Sequence, residues 1–362
     1  MTTISQLSFF VLVALGAFAL FFQFVKGRFP KHLAIVLDLL FILALCLMSY
    51  RVWPGLGSDL ERYFQIMDMT RGTSFREVLL YGHYRTTVIT NIFMWFISQT
   101  RNNHLLPLLS TIIITGNIFY LIHLEGKRTT LLQSAKFSYL IVVFSVVTLM
   151  AITTCVRHAW MISLFAIAVY RDFMLNKKDF ITVGLYIAAC MVHTAALGLI
   201  LVRFLALLKG NSKLWILLWI LLSPFLQYFA ESGGLLGEAV GKFFAYQEFG
   251  AEGLDIRWRI VRLGTLITLA IMCYMQRNSS PDKKYTNFYW TLVLFTIGAI
   301  SVPILHFRMV DAAAITSLPI INNFYKTQSK ENVLIFKLLL TILCLGQFAY
   351  HGVFIKTSVS FI

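Results

Sequence analysis

The chain has 362 residues, 58% of them hydrophobic and 13% charged, with a mean hydropathy of +0.76. Soluble domains carry about 25% charged residues, so this composition excludes a water-soluble enzyme and a disordered protein and points to a polytopic membrane protein. Lysine and arginine number 31 against 16 acidic residues, a formal +15 that has to be divided between two sides of a membrane before any partner is read from it. Nucleic acid is not among the partners expected.

Apolar runs of crossing length start at Leu7, Leu33, Leu105, Phe137, Trp160, Phe180, Leu214, Ile260, Phe288, Met309 and Val333. They predict an all-α polytopic membrane protein of about 11–12 membrane helices, some re-entrant or broken. Residues 1–362 form one integral membrane domain, with outer loops near 51–104 and 231–259. Leu7–Val25 reads as a retained helix, not a signal peptide. Lys26, Arg28 and Lys31 follow it, which puts them in the cytoplasm and the N-terminus outside.

The run from Leu33 carries Asp38, expected to bond a neighbouring helix or to face a cavity, and ends at Tyr50-Arg51. Pro54, Gly55 and Gly57 then make a tight outer loop, and Ser58 or Asp59 can cap the next helix. In that helix Asp59, Arg62 and Tyr63 share one face. Two readings stand. Asp59 is an N-cap carboxylate with a surface ion pair, or it is a catalytic or sugar-binding carboxylate beside phosphate-binding Arg51 and Arg62. Thr86–Gln99 is too short to cross, and a re-entrant or interfacial helix there keeps Lys127, Arg128 and Lys136 cytoplasmic.

Mid-chain, Thr153-Thr-Cys-Val-Arg157-His158 puts an arginine at the start of a membrane helix, against the local dipole. Arg157 either has an anionic partner in an aqueous cavity or snorkels to headgroups, and His158 alone adds little. Phe180–Leu208 is too long for one helix. A break at His193 puts Lys177 and Lys178 on the same side as Lys209 and Lys213, and His193 is then a hydrogen-bonded core residue, a general base or a sugar ligand. Leu235–Tyr246 reads as an interfacial helix or lid, with Glu231, Glu238, Glu248, Glu252 and Asp255 as a solvated rim or sugar ligands. Late in the chain, His306-Phe-Arg308-Met-Val-Asp311 spaces Arg308 and Asp311 as an i, i+3 pair at the mouth of a span, either a structural ion pair or a functional one.

The five cysteines lie in or beside apolar runs without CxxC spacing and read as buried hydrophobes. No phosphate-loop, dinucleotide or metal-ligand motif is present, so no cofactor and no metal are expected. With the two short-segment adjustments, the lysine-rich loops are all cytoplasmic. The outer face instead carries Arg51, Arg62, Arg71, Arg76, Arg85, Arg101, Arg157, Arg257, Arg259, Arg262 and Arg308. Arginine there runs against the positive-inside bias. Guanidinium forks bind phosphate in a bidentate way, so these residues suit an anionic, lipid-linked substrate.

The order of these motifs, with Arg51…Gly57-Ser-Asp59…Tyr63, Thr154-Cys-Val-Arg157-His, His193-Thr-Ala-Ala-Leu and Phe307-Arg308-Met…Leu318-Pro319, resembles the EpsG-like branch of Wzy-type oligosaccharide repeat-unit polymerases. The resemblance covers most of the chain in short, degenerate motifs. It departs where the family often opens its re-entrant segment with Glu-Pro, because this chain has Gly82-His-Tyr-Arg85.

The resemblance implies a GT-C-like, metal-independent glycosyltransferase of the bacterial cytoplasmic membrane. It would join undecaprenyl-pyrophosphate-linked repeat units on the outer, periplasmic face, for capsule, exopolysaccharide or O-antigen. Its partners would be those lipid-linked glycans, membrane lipid, and the chain-length regulator and flippase of the same pathway. In that light Arg51, Arg157 and Arg308 go to pyrophosphate, with Asp311 also substrate-binding. His193 or Asp59 serves as base, and Arg62 and Tyr63 orient sugar. The competing readings are a lipid-linked oligosaccharide flippase and an O-antigen ligase; a membrane O-acyltransferase fits less well.

Overall fold

The computed structural model describes residues 14, 17, 21, 24, 31–54, 59–82, 86–147, 156–207, 256–301, 303–358 and 360–361. The expected helix at Leu7–Val25 (apart from four isolated positions), the run from Leu214, the Gly57–Ser58 turn, Cys155 and the lid at Leu235–Tyr246 with its acids lie outside the described residues.

The expected all-α architecture is present, with 14 α-helices among the described residues. In chain order they are α1 (Lys31–Arg51), α2 (Asp59–Thr70), α3 (Phe75–Tyr81), α4 (Val88–Gln99), α5 (Leu105–Arg128), α6 (Gln133–Val146) and α7 (Val156–Val169). After a π-helical turn at Tyr170–Met174 come α8 (Phe180–Val192), α9 (Ala196–Leu207), α10 (Ile256–Gln276), α11 (Lys283–Gly298), α12 (Pro303–Ile315), α13 (Leu318–Thr327) and α14 (Lys330–Ser358). Two short strands, β1 (Val52–Trp53) and β2 (Ser360–Phe361), pair antiparallel and tie the end of α1 to the end of α14. By length and composition alone, α5 is the helix among the described residues that qualifies as a full membrane span.

The distribution of polarity is inverted relative to a water-soluble bundle. Helix α1 turns Leu33, Ile35, Val36, Leu39, Leu40, Leu43 and Leu47 outward, and α14 does the same with Leu334, Ile335, Leu338, Leu339, Ile342 and Leu345. Stripes of that extent need hydrocarbon around them. Inside, polar side chains pair between helices. Ser49 bonds Thr111 at 2.6 Å, Asn117 Nδ2 donates to Ser163 at 2.9 Å, and Gln347 Nε2 donates to Thr265 at 3.1 Å. Small hydroxyl and amide residues are the usual glue where apolar burial gives little drive to associate.

Val52, Leu60, Tyr63, Met94, Ile97, Leu106 and Val156 form a satellite core that gathers the end of α1, helices α2 and α4, and the starts of α5 and α7 at one end of the bundle. Helix α4 stays at that end. Thr90 Oγ1 donates to Val192 O at 2.8 Å, while Trp95 Nε1 and Arg71 Nε bond Thr73 O and Ser98 O at 3.0 and 3.3 Å. The segment forms a helix of 12 residues, Val88–Gln99, packed against the end of α8 through Thr90.

Two breaks shape the interior. Helices α8 and α9 meet at His193–Ala195, the break expected from the overlong run. Helices α12 and α13 meet at Thr316–Ser317, with Pro319 in the first turn of α13. The carbonyls beside this second break take hydroxyl protons from three tyrosines: Tyr289 to Ala313 O at 3.0 Å, Tyr139 to Ile315 O at 2.9 Å, and Tyr285 to Thr316 O. Unpaired carbonyls in a helix interior are costly away from water, and tyrosine is long enough to reach them from a neighbouring helix.

Lys136 departs from expectation by its burial. Lys136 is not in a loop; it lies in the first turn of α6, buried, with Nζ 2.5 Å from Asp38 Oδ2 on α1. That pair gives Asp38 its partner on a neighbouring helix.

Candidate functional site

Helix α2 approaches the bundle end with Tyr63 turned inward and Asp59 and Arg62 turned outward. Asp59 and Arg62 make the i, i+3 pair expected of them, at 3.4 Å and well exposed. A pair so open to solvent holds its partners weakly and leaves both within reach of a ligand. Tyr63 Oη accepts Arg157 Nε–H at 3.2 Å, and the guanidinium carbon lies 5.5 Å from the centre of the phenol ring. The tyrosine thus orients the guanidinium at the start of α7.

His193 sits at the α8–α9 break. Its Nδ1 accepts the Ala195 N–H at 3.1 Å. A neutral imidazole has one lone pair in the ring plane, and here the backbone occupies it, which assigns the proton to Nε2. His193 is therefore arranged as a hydrogen-bond donor. Its ring meets His158 edge to face at 6.1 Å, and Arg308, His158 and Arg157 lie within electrostatic reach of it.

Asp311 overturns the expected i, i+3 pairing with Arg308. Its carboxylate is ion-paired with Arg262 of α10, and its Oδ2 lies 3.3 Å from His158 Nε2. The reason is burial. Arg262 is 2% exposed and Asp311 3% exposed, and a charge so removed from water requires an opposite charge in direct contact. Arg262 also donates to Val146 O at 3.0 Å and Phe307 O at 2.8 Å, with its guanidinium carbon 3.6 Å from the Phe307 ring centre. It joins α6, α10 and α12. Arg308, one residue along, is half-buried and acts on both His158 and His193.

Arg51 leads elsewhere. Its charge acts on His104, whose ring lies 5.4–6.0 Å from those of Trp53, Phe64 and Tyr50. Burial first, and Arg51 after it, hold His104 below its ordinary value, against backbone hydrogen bonds at Val52 and Tyr50.

Of the residues singled out from sequence, Tyr63, Arg157, His193, Arg308 and Asp311 converge. Asp59 stands one turn of α2 before Tyr63 and Arg62 immediately precedes it, and Arg51 marks a neighbouring aromatic patch. Two members of the cluster are given no role of their own by the sequence: Arg262 counts only among the outer-face arginines, and His158 only as a neighbour of Arg157. Arg262 falls inside the apolar run from Ile260, the same signal that drew attention to Arg157. His158 carried none beyond its neighbour. Among the described residues no group of three His, Cys, Asp or Glu side chains could hold a metal ion, and Cys46, Cys190, Cys273 and Cys344 are free thiols.

A family model described as the EpsG family matches residues 35–358, nearly the whole chain. The chain belongs to the EpsG family. This is a membrane protein family, and membership suggests a polysaccharide polymerase role. Comparison with curated proteins and with solved structures gives no match.

The opposite end of this EpsG protein is packed with a different polar network. Glu125 is fully buried and accepts from Tyr170 Oη at 2.7 Å, Asn322 Nδ2 at 2.8 Å and Arg128 at 3.3 Å. Arg128 reaches on to Asp282 at 3.1 Å, which also takes Asn323 Nδ2 at 3.2 Å. Four separate segments are tied together there.

Proposed function

We propose that this protein polymerises glycan repeat units carried on undecaprenyl pyrophosphate, at the membrane face where α7 begins. The observation that carries the reading is the convergence of Arg157, Arg308 and the donor face of His193 at one end of the bundle. A pyrophosphate leaving group needs its charge stabilised, and fixed guanidinium and imidazole N–H groups supply that stabilisation.

In the reaction, the non-reducing hydroxyl of one unit attacks the anomeric carbon of the growing chain. The new C–O bond forms as the bond to pyrophosphate breaks, and undecaprenyl pyrophosphate leaves with the electron pair. Asp59, exposed on α2, takes the hydroxyl proton; the occupied Nδ1 of His193 favours the aspartate for this task. Arg157 and Arg308 hold the pyrophosphate, His193 Nε2–H donates to it, and Arg62 and Tyr63 orient sugar. Asp311 is turned toward Arg262 and His158 and leaves phosphate binding to the arginines. Arg51 and the aromatic patch around His104 serve the glycan rather than the pyrophosphate.

A flippase needs access from both ends of the bundle. The buried Glu125 network at the opposite end argues for a site served from one side. Gel analysis of surface glycan from a strain lacking this protein tests the reading. Loss of polymerase leaves single units on the outer surface; absence of any unit outside marks a flippase, and long lipid-linked polymer marks a ligase.

A further inference from the structure

His158, Asp311 and Arg262 form a buried chain behind the donor face of His193. We propose that Asp311 and His158 are positioning residues for His193, and that Arg262 neutralises Asp311 so that this carboxylate can stand beside an anion site. The inference rests on the polymerase reading above. It assigns positioning and charge-balancing work to His158 and Arg262.

The geometry carries it in three steps. Arg262 is held by two carbonyls and a ring face, so the position of its guanidinium is set by α6 and α12. Asp311 binds that guanidinium with one oxygen and faces His158 Nε2 with the other at 3.3 Å. A carboxylate this close to Nε2 draws an N–H toward it and biases the orientation of the ring, as second partners of histidines do in many sites. His158 then presents its ring edge to face with His193, centre to centre at 6.1 Å and inclined by 75°.

His193 has its own Nδ1 tied to Ala195 N–H. The remaining freedom of its ring is tilt about that bond, and the His158 ring limits the tilt. Neither His158 Nδ1 nor Nε2 completes a hydrogen bond of full geometry among the described residues, so the Asp311 carboxylate at 3.3 Å holds the ring by charge and proximity. A buried polar atom left open is unfavourable for stability, which fits a residue retained for placement.

The charge balance points the same way. An uncompensated aspartate beside Arg308 and Arg157 would repel a pyrophosphate; pairing with Arg262 removes that repulsion while keeping the oxygen that anchors His158.

The test is a double-substitution cycle on the full-length protein reconstituted in liposomes, using lipid-linked repeat units extracted from a strain lacking it. His158→Phe keeps an aromatic ring and removes the Asp311 contact. It is expected to lower kcat about 100-fold, the scale of a small misplacement of a reacting group, with KM within about threefold of the parent. In a His193→Ala background the same substitution should change the rate by less than about threefold, because the residue it acts through is gone. His158→Gln, whose amide can still donate to Asp311, should recover about tenfold of the loss.

Multiplicative losses in the double variant overturn the proposal. So does a fall in rate that follows a fall in folded protein by thermal melting, or a Gln variant no better than Phe. If the parent itself makes no polymer, the polymerase reading fails along with this one; an active parent with independent effects removes this one alone.

Discussion

Arg157 and Arg262 are both guanidiniums in apolar helices, yet their surroundings separate their roles. Arg262 is sealed in by carbonyls, a ring and Asp311, whereas Arg157 bonds the Tyr63 phenol at the start of α7 and is only partly buried. Arg157→Ala is expected to abolish long polymer, lowering the rate about 10²–10³-fold as removal of a charge-stabilising donor does, while single capped units persist. Tyr63→Phe should be milder, about fivefold, the worth of one hydrogen bond of about 1 kcal/mol. A polymer ladder from the alanine variant as long as the parent's contradicts the assignment.

Asp179, at the start of α8, gives a residue-scale prediction about acid. The Thr182 N–H, then the Arg171 guanidinium, hold its carboxyl down at about 2. An unfolded aspartate titrates near about 3.9, so the folded state binds its proton less readily and gains stability as pH rises through this range. The contribution is complete above about pH 4 and lost as pH falls through about 2. Asp179→Asn, which keeps an N-cap without the charge, should flatten the fall in melting temperature across that window; an unchanged slope counts against the capping pair.

At the scale of elements, the two breaks differ in how visible they are from sequence. The His193 break follows from arithmetic: an apolar run too long for one span, with lysines at both ends. The expectation of a re-entrant α4 rests on length in the same way. The Thr316–Ser317 break is hidden. The run from Met309 gives no length anomaly, and the tyrosines that satisfy its carbonyls come from α6 and α11, far away in sequence. Tyr139→Phe should leave a buried carbonyl short of a donor and lower stability by about 1–3 kcal/mol, read as a drop in melting temperature in detergent. Gly82→Ala should disturb the joint between α3 and α4, because a Cβ there would lie 2.3 Å from Val78 O and 2.4 Å from Asn91 Nδ2. Retention of the parent's melting temperature in either variant would count against the packing described.

The Asp311 pairing shows the limit of spacing rules. An i, i+3 separation states that two side chains can meet on one helix; it carries no information about a better partner on another. Arg262 wins because both groups are buried and neighbouring helices bring them into contact. Lys136 makes the same point: spacing says nothing of Asp38 on α1, the neighbouring-helix partner that Asp38 itself was expected to have.

At the scale of the molecule, the excess of positive charge divides between two ends with different chemistry. The α7-start end gathers arginines, histidines and exposed aromatic rings; the other carries Lys127, Lys326 and the sealed Glu125 network. The orientation proposed from the lysine bias puts the α7-start end outside. Single cysteines at Gln99 and Lys127, in a background with the native cysteines replaced, should respond oppositely to a membrane-impermeant thiol reagent on intact cells. Gln99→Cys is expected to label from outside and Lys127→Cys only after lysis. The reverse pattern would turn the protein over and remove the outer-face site.

The central claim is that this protein joins lipid-linked units by displacing undecaprenyl pyrophosphate at the Arg157–His193–Arg308 cluster. Its most direct test is purified protein in liposomes with extracted lipid-linked repeat units, followed on gels for glycan length and by chromatography for released lipid. The account predicts a ladder of polymer with undecaprenyl pyrophosphate released in step with each unit joined, and neither in the Arg157→Ala protein. Units that cross the bilayer unchanged in length, with no lipid released, would contradict it.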